Sequence, residues 1–262
     1  MPALAGKVVV IIGGTTGIGL AATTACLDAG ARVVAVGLGG TKRARSARST
    51  THRDSLREIV ADARDAATAP QAIEEAVGEF GGFDALYHVA GGSARKWGDG
   101  PLHKLSDEGW AKTIELNLTS VMFSNRAAVR RFLAQGTRGS ILNLASVLAF
   151  APSPRHFGTH GYAAAKAGII GFSRSLAAGY AAHDIRVNVL APGLVDTPMA
   201  QRAAQDETIQ RYIAGKQPLD GGRIGRADDL AGAAVFFLSD ASAFCTGQVL
   251  AIDGGWSVSE SE

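Results

Sequence analysis

Two rhythms of apolar residues alternate along this chain, and the first is an unbroken β-branched run. Residues 7–12, Lys-Val-Val-Val-Ile-Ile, show no polar alternation, the pattern of a strand buried on both faces of a parallel sheet. Comparable runs stand at 31–37, 85–92, 140–145, 185–191 and 248–255, with a weaker one at 58–62. Between them lie stretches with helical spacing: 20–30, a segment opening near Thr68, a long one opening at Asp107, one from Tyr162 to about Ala181, and 228–239. In the long segment Ser106 is the predicted N-cap, and Trp110, Ile114 and Leu118 sit at core spacing. Asn117 falls inside it, where an amide is a poor helix former and implies a hydrogen-bonding task. Residues 200–222 are polar and helical in pattern, suited to cover a cleft as a lid. Seven strands alternating with helices predict an α/β fold, a doubly wound, seven-stranded parallel sheet in one domain spanning 1–262 without linker or repeat.

The turn after the first strand reads Gly13-Gly-Thr-Thr-Gly-Ile-Gly19. Strand, glycine turn and helix in that order aim backbone N–H groups and the positive end of a helix dipole at a pyrophosphate. Gly13, Gly17 and Gly19 permit the tight turn and the close approach of backbone to ligand. A fingerprint that selects NAD places an acid near the end of the second strand to hold the ribose hydroxyls. Gly37 and Leu38 stand there instead, followed by Lys42, Arg43 and Arg45, with no acid until Asp54. A missing carboxylate beside clustered cations favours a 2′-phosphate, hence NADP(H) ahead of NAD(H); the alternative is a solvated basic loop that binds nothing. Asp62 ends the third strand, placed either to accept from an adenine amino group or to cap the next helix. The fourth strand ends in glycines, a second point where backbone can approach a cofactor.

Composition changes this picture mainly by exclusion. A net charge of +2 with 19% charged residues gives no electrostatic case for nucleic acid or an anionic membrane surface. No segment has the unbroken apolar length to span a bilayer, and the first apolar run leads into glycines, not a signal-cleavage site. Cys26 and Cys245 lie among apolar or small residues, as reduced thiols of a cytoplasmic protein do. His156 and His160 lack a third ligand, so no metal site is expected.

The candidate chemistry lies in 146–166. Tyr162 and Lys166, four apart at the head of an alanine-rich helix, project from one face. A free tyrosine has a pKa near ~10 and is a poor acid or base at neutral pH. A neighbouring ammonium favours the phenolate and is expected to lower that value. Ser146 ends the fifth strand, where its hydroxyl can bond a substrate oxygen. The same Tyr-x-x-x-Lys spacing also occurs as an ordinary surface pair. Trp97, Phe150, Phe157 and Met199 hint at an apolar pocket, though core packing explains each as well.

In order and together, these motifs resemble the short-chain dehydrogenase/reductase family, its compact one-domain subgroup, over nearly the whole length. The resemblance implies a Rossmann-type fold with a cofactor half, 1–145, and a half with the catalytic and substrate loops, 146–262. It implies a dinucleotide held by Gly13, Thr15, Thr16, Gly17, Ile18 and Gly19, with Asp62 and Ala63 near the adenine and Ala90-Gly91 beside it. Pro192, Gly193, Val195 and Thr197 would meet the nicotinamide end. Tyr162 would be the general acid/base, Lys166 would lower its pKa and hold the nicotinamide ribose, and Ser146 would orient the carbonyl. Asn117 would support a water-linked proton path. The implied activity is hydride transfer between NAD(P) and a small-molecule carbonyl or secondary alcohol, in a homotetramer or dimer built on the helices of Asn117 and Tyr162. The alternative is a dinucleotide-binding sensor or scaffold without turnover, against which an intact Ser146, Tyr162 and Lys166 speak. Three departures stand out: Ile12 in place of a threonine, His88-Val89 in place of paired asparagines, and a longer interval from Ser146 to Tyr162, which makes 152–160 a loop particular to this chain.

Overall fold

The computed structural model describes residues 2–39 and 52–260, so Lys42, Arg43 and Arg45 lie outside the described residues. β1 (Val8–Ile12) is buried at all five positions. A glycine turn joins it to α1 (Gly17–Asp28), and β2 (Arg32–Gly37), β3 (Leu56–Val60) and α2 (Thr68–Phe80) follow. β4 (Ala85–His88) leads to a rod made of α3 (Asp107–Ile114), a π-helical turn (Glu115–Thr119) and α4 (Ser120–Gln135). β5 (Gly139–Leu144), a short α5 (Pro154–Phe157), the long α6 (His160–Tyr180) and β6 (Ile185–Pro192) come next. The chain closes with α7 (Gln201–Ala204), α8 (Glu207–Lys216), α9 (Ala231–Leu238) and β7 (Val249–Ile252).

The strands form one sheet in the order β3-β2-β1-β4-β5-β6-β7, every neighbour parallel. Successive side chains alternate between its two faces and helices cover both, which explains why β1 has no polar position. Val9 and Ile11 join Val33, Leu142 and Phe237 in one apolar layer, with α1 and α9. Val8, Val10 and Ile12 join Ile73, Phe132 and Ile141 in the other, with α2 and α4. Ile12, which replaces the hydroxyl expected at that position, is therefore a core residue, 1% exposed.

Two local expectations are corrected. β3 runs 56–60 and not 58–62, because its ladder with β2 pairs Val33 with Leu56 and ends at Gly37 with Val60; Asp62 falls beyond the strand. Of the three apolar residues at core spacing in the rod, none is buried, and Trp110 is 45% exposed. Through α3 and the π turn into the head of α4 the buried side includes Gly109, Thr113, Asn117, Ser120 and Ser124, small or polar residues that let the rod approach its neighbours closely, and apolar burial resumes along α4 at Val121, Ala128, Val129 and Phe132. A Cβ on Gly109 would stand 2.5 Å from the carbonyl carbon of Gly98, so only glycine fits that contact. Ser106 does cap α3, its hydroxyl accepting from Gly109 N–H at 2.9 Å. The polar stretch 200–222 is also more than a solvated cover: Ala203, Ile209 and Ile213 are buried against Val147 and Trp256.

Packing makes opposite predictions for two glycines. A Cβ at Gly139, at the start of β5, would run into the Phe132 ring, which stacks on Phe83 at 4.7 Å. Gly139→Ala is expected to destabilise by about 1–3 kcal/mol. Gly78 lies inside α2 with nothing within 4 Å of an added Cβ. Gly78→Ala should stabilise by about 0.5–1 kcal/mol. Urea denaturation of the two variants checks both signs.

Candidate active site

All seven strands point their carboxyl ends the same way, and the site is assembled there from the loops that leave them. β1 and β4 are neighbours, and Ile12 O accepts from both Val89 N–H and Ala90 N–H at 2.8 and 2.9 Å. Gly13 crosses this junction with φ +91°, and a Cβ there would sit 2.6 Å from Ala90 N. Gly19 has no room either, because its Cβ would overlap the Gly13 carbonyl. Gly17, at φ +51°, opens α1 and faces the Thr197 methyl, 3.2 Å from a built Cβ. The N-cap of α1, Thr16, makes no side-chain cap, so the first-turn N–H groups are left to a ligand.

These elements bound a cleft of about 260 Å³ whose walls include Gly13, Thr15, Thr16, Gly17, Ile18, Asp62, Ala63, Ala90, Gly91 and Thr197. Its shape, its glycines and its helix terminus fit an extended dinucleotide. Among the described residues lining it, Asp62 is the one that carries charge. That carboxylate is held by Arg64, whose guanidinium donates at 2.6 Å and whose backbone N–H donates at 2.9 Å, and this pairing keeps it below the usual carboxylate pKa. At the end of β2 the expected gap is real. A Cβ on Gly37 would overlap the Thr15 hydroxyl, so no carboxylate side chain fits there.

The candidate proton-transfer residues gather on the other side of β4. Ser146 follows β5, and its hydroxyl accepts from Leu148 N–H at 3.2 Å. Tyr162 and Lys166 project from the first turns of α6, whose head is anchored by the buried Asp99 accepting from Gly161 and Tyr162 N–H at 3.0 Å each. The lysine ammonium stands 5.5 Å from the centroid of the Tyr162 ring and donates to Leu144 O at 2.9 Å. Desolvation, not the ammonium, dominates the phenol, which is pushed up to about 12 by burial and lowered only in part by its hydrogen bond with Ser146. This reverses the expected direction. Burial also brings Lys166 down to about 8.

Asn117 sits fully buried in the π-helical turn. Its Oδ1 accepts from Gly92 N–H at 2.9 Å, and its Nδ2 donates to Gly92 O and Thr113 O at 3.0 Å each. The amide thus braces the loop after β4. The other implied residues lie at the margins: Gly193 lines the pocket beside Tyr162, Pro192 pairs with Ile252 in β7, and Val195 lines a separate cavity.

His88 was identified from sequence only as a departure. It is 1% exposed and neutral: Nε2–H donates to Ala90 O at 3.1 Å, which leaves Nδ1 to accept from the Ser124 hydroxyl at 2.7 Å. Burial first, and the Lys166 charge second, bring its pKa down to about 3. Behind it Ser124, Asn125, Asn143 and Ser173 continue a buried hydrogen-bonded chain.

A second pocket opens above Ser146 and Tyr162 and shares Met199 with the dinucleotide cleft. Phe157 and Met199 line it as anticipated, but Trp97 and Phe150 do not; Trp97 lies under Lys96, 4.1 Å from ring centroid to Nζ, and Phe150 is 46% exposed. His156 packs against Tyr212 and not into the pocket. Trp256 was missed because it lies beyond the last strand, where no periodicity marks a wall residue. Its indole donates to Ala151 O at 3.0 Å and meets Phe157 edge-on. Gln217 was missed likewise; it is 2% exposed and clamps Leu194 from both sides, accepting from its N–H at 2.6 Å and donating to its C=O at 3.2 Å. No group of three metal-ligating side chains occurs among the described residues.

Comparison with known proteins agrees with this geometry. A family profile described as enoyl-(acyl carrier protein) reductase matches residues 13–257. The cis-4-hydroxycyclohexanecarboxylate dehydrogenase of Sinomonas cyclohexanicum is 36% identical over 256 residues, covering 97% of this chain and 98% of that protein. The 2-dehydro-3-deoxy-D-gluconate 5-dehydrogenase of Escherichia coli K12 is 34% identical over 253 residues, covering 97% and 96%. Among solved structures, a short-chain type dehydrogenase/reductase from Mycobacterium ulcerans superposes with a TM-score of 0.88 at 26% identity, over 99% of this chain and 93% of that one.

The buried neutral imidazole makes the fold acid-sensitive in a predictable window. Above pH ~6.5 both folded and unfolded chains hold His88 neutral; below it only the unfolded chain takes up the proton, so stability falls as pH drops from ~6.5 toward the folded value of about 3. His88→Asn should make stability fall less between pH 8 and pH 5 than it does in the wild type, read by urea denaturation followed by circular dichroism at both pH values.

Proposed function

The chain belongs to the short-chain dehydrogenase/reductase family and is an NAD(P)-dependent oxidoreductase of alcohol and carbonyl groups, in which we propose that Tyr162 carries the proton and NADP(H) is the preferred cofactor. The observation that carries this reading is the juncture at Met199. The dinucleotide cleft and the small pocket holding Ser146 and Tyr162 share that wall, so a substrate oxygen beside the phenol has its carbon toward the nicotinamide end of the cleft. When bound, the dinucleotide supplies or accepts the hydride. Tyr162 gives the proton to the substrate oxygen or takes it away, and Ser146 orients that oxygen by a hydrogen bond. Lys166 keeps a positive charge under the phenol and reaches toward the nicotinamide ribose. Asn117 holds Gly92 and with it the cleft wall at Gly91; a Cβ on Gly91 would sit 2.8 Å from Asn117 Oδ1 and 3.3 Å from Lys166 Nζ.

The preference for NADP(H) rests on what surrounds the adenosine ribose. Thr15 fills the space a carboxylate would need at Gly37, Leu38 beside it is 75% exposed, and Lys42, Arg43 and Arg45 follow in sequence. We further assign a homo-oligomer, a tetramer or dimer, built on α3–α4 and α6, supported by the outward Trp110. A cytoplasmic location is supported by two cysteines without a disulfide, and no described helix is long and apolar enough to cross a membrane. Within the single domain, 1–145 supplies most of the cofactor cleft and 146–262 most of the substrate wall, with Thr197 crossing over.

Tyr162→Phe is expected to lower kcat by at least about a thousandfold on any ketone the enzyme reduces, while the Kd for reduced cofactor changes less than about threefold. Surviving turnover would remove Tyr162 from the mechanism. Fluorescence titration with NADPH and NADH should show tighter NADPH binding that weakens with salt, and alanine at Lys42, Arg43 and Arg45 together should abolish the preference. Equal affinities in the wild type would assign the basic segment no part in cofactor choice.

A further inference from the structure

The pocket above Ser146 and Tyr162 has a volume of about 170 Å³, the space of roughly six liquid-phase waters, so the part of the substrate it encloses is small. One wall is apolar, made by Val147, Leu148, Phe157, Leu194 and Trp256. Arg95 and Arg202, both solvent-exposed, complete the lining, and among the described residues lining the pocket these two alone are charged. Arg95 comes from the 3-10 turn after β4 and Arg202 from α7, segments more than a hundred positions apart that the fold brings to one opening.

Neither guanidinium has a hydrogen bond or salt bridge to a described residue; Arg95 is held through its backbone alone, its N–H meeting Ser93 Oγ at 3.4 Å and its carbonyl accepting from Gly98 N–H at 3.0 Å. Other arginines near the site are paired, Arg64 with Asp62 and Arg223 with Asp229. Lost hydration and then the charge of Arg202 lower the pKa of Arg95, while Asp99 acts in the opposite direction. Asp99 makes no hydrogen bond to either guanidinium, both its oxygens accepting from backbone N–H groups at the head of α6, and it reaches Arg95 by charge alone. Two cations facing one pocket repel across it, and an anion between them would turn that repulsion into attraction on both sides. The planar donor forks of arginine suit a carboxylate, which each can meet in a bidentate way.

We propose that Arg95 and Arg202 form a carboxylate-binding subsite, and that the substrate is a hydroxy or oxo acid with a compact apolar carbon skeleton between its reacting carbon and its carboxylate. This rests on the oxidoreductase reading above. The carboxylate would lie at the rim, the skeleton against Trp256 and Phe157, and the reacting oxygen at Ser146 and Tyr162. The arginines thereby select among substrates without touching the reacting atoms.

The test is calorimetric titration of the enzyme saturated with reduced cofactor, using cyclohexanecarboxylate and its near-isosteric neutral partner cyclohexanecarboxamide, neither of which has a group to reduce. The acid is expected to bind at least about tenfold tighter than the amide, with an affinity that falls as salt rises. The Arg95→Gln, Arg202→Gln double variant should bring the two ligands within about twofold of one another, and Arg202→Lys alone should retain part of the preference. Circular dichroism of the variants checks that the fold is kept. Equal binding of acid and amide by the wild type, or a preference that survives loss of both arginines, would overturn the subsite. Failure of either cofactor to bind would instead count against the oxidoreductase reading on which it rests.

Discussion

Everything at this site depends on two strands, β1 and β4, lying side by side while the chain leaves them toward opposite faces of the sheet. A parallel sheet must open a crevice where that happens, because no connection covers it. The contact at the crevice floor is extremely close, with Gly13 against the Ala90 backbone, and it admits no side chain. The glycine turn is therefore first a packing requirement of the β1–β4 junction, and its fitness for a pyrophosphate follows from the same backbone exposure. α1 then presents an uncapped N-terminus to the space so formed.

On the far side of β4 the controlling influence is desolvation. Lys166 is buried and Tyr162 half-buried at the floor of its pocket, and desolvation moves each toward its neutral form, the phenol upward and the ammonium downward. The simple picture of an ammonium lowering a phenol's pKa fails here because Lys166 directs its donor to Leu144 O and desolvation outweighs the charge at 5.5 Å. His88 belongs to the same environment. It answers burial by staying neutral and by using both ring nitrogens, which ties the end of β4 to α4 through Ser124.

The rod of α3 and α4 shows how function can invert the usual pattern. Over α3 and the π-helical turn its inward side is polar and small so that Asn117 can reach Gly92, and Trp110 is turned outward. Buried hydrogen bonds replace the apolar packing that an ordinary helix would use on that face. A periodicity argument that assigns the apolar side to the core is correct for α2, whose Ala69, Ile73, Ala76 and Phe80 are buried, and holds again in α4 at Val121, Ala128, Val129 and Phe132, but fails over α3 and the π turn.

Sequence by itself determined the strands and the candidate chemistry. β-branched runs suit a doubly covered sheet, glycines at 13 and 19 stand where the turn after β1 leaves no room for a Cβ, and Ser146, Tyr162 and Lys166 occur at spacings local enough to read. Even the absent carboxylate at Gly37 was legible, although the reason, the Thr15 hydroxyl in its place, was not. Only the tertiary structure decided the matters that depend on distance in space between residues far apart in the chain. These include the direction of the Tyr162 shift, the neutral state of His88, Asn117 as a brace, the walls supplied by Trp256 and Gln217, and the meeting of Arg95 with Arg202. Burial and long-range contact set each of them, and neither quantity is written in local spacing.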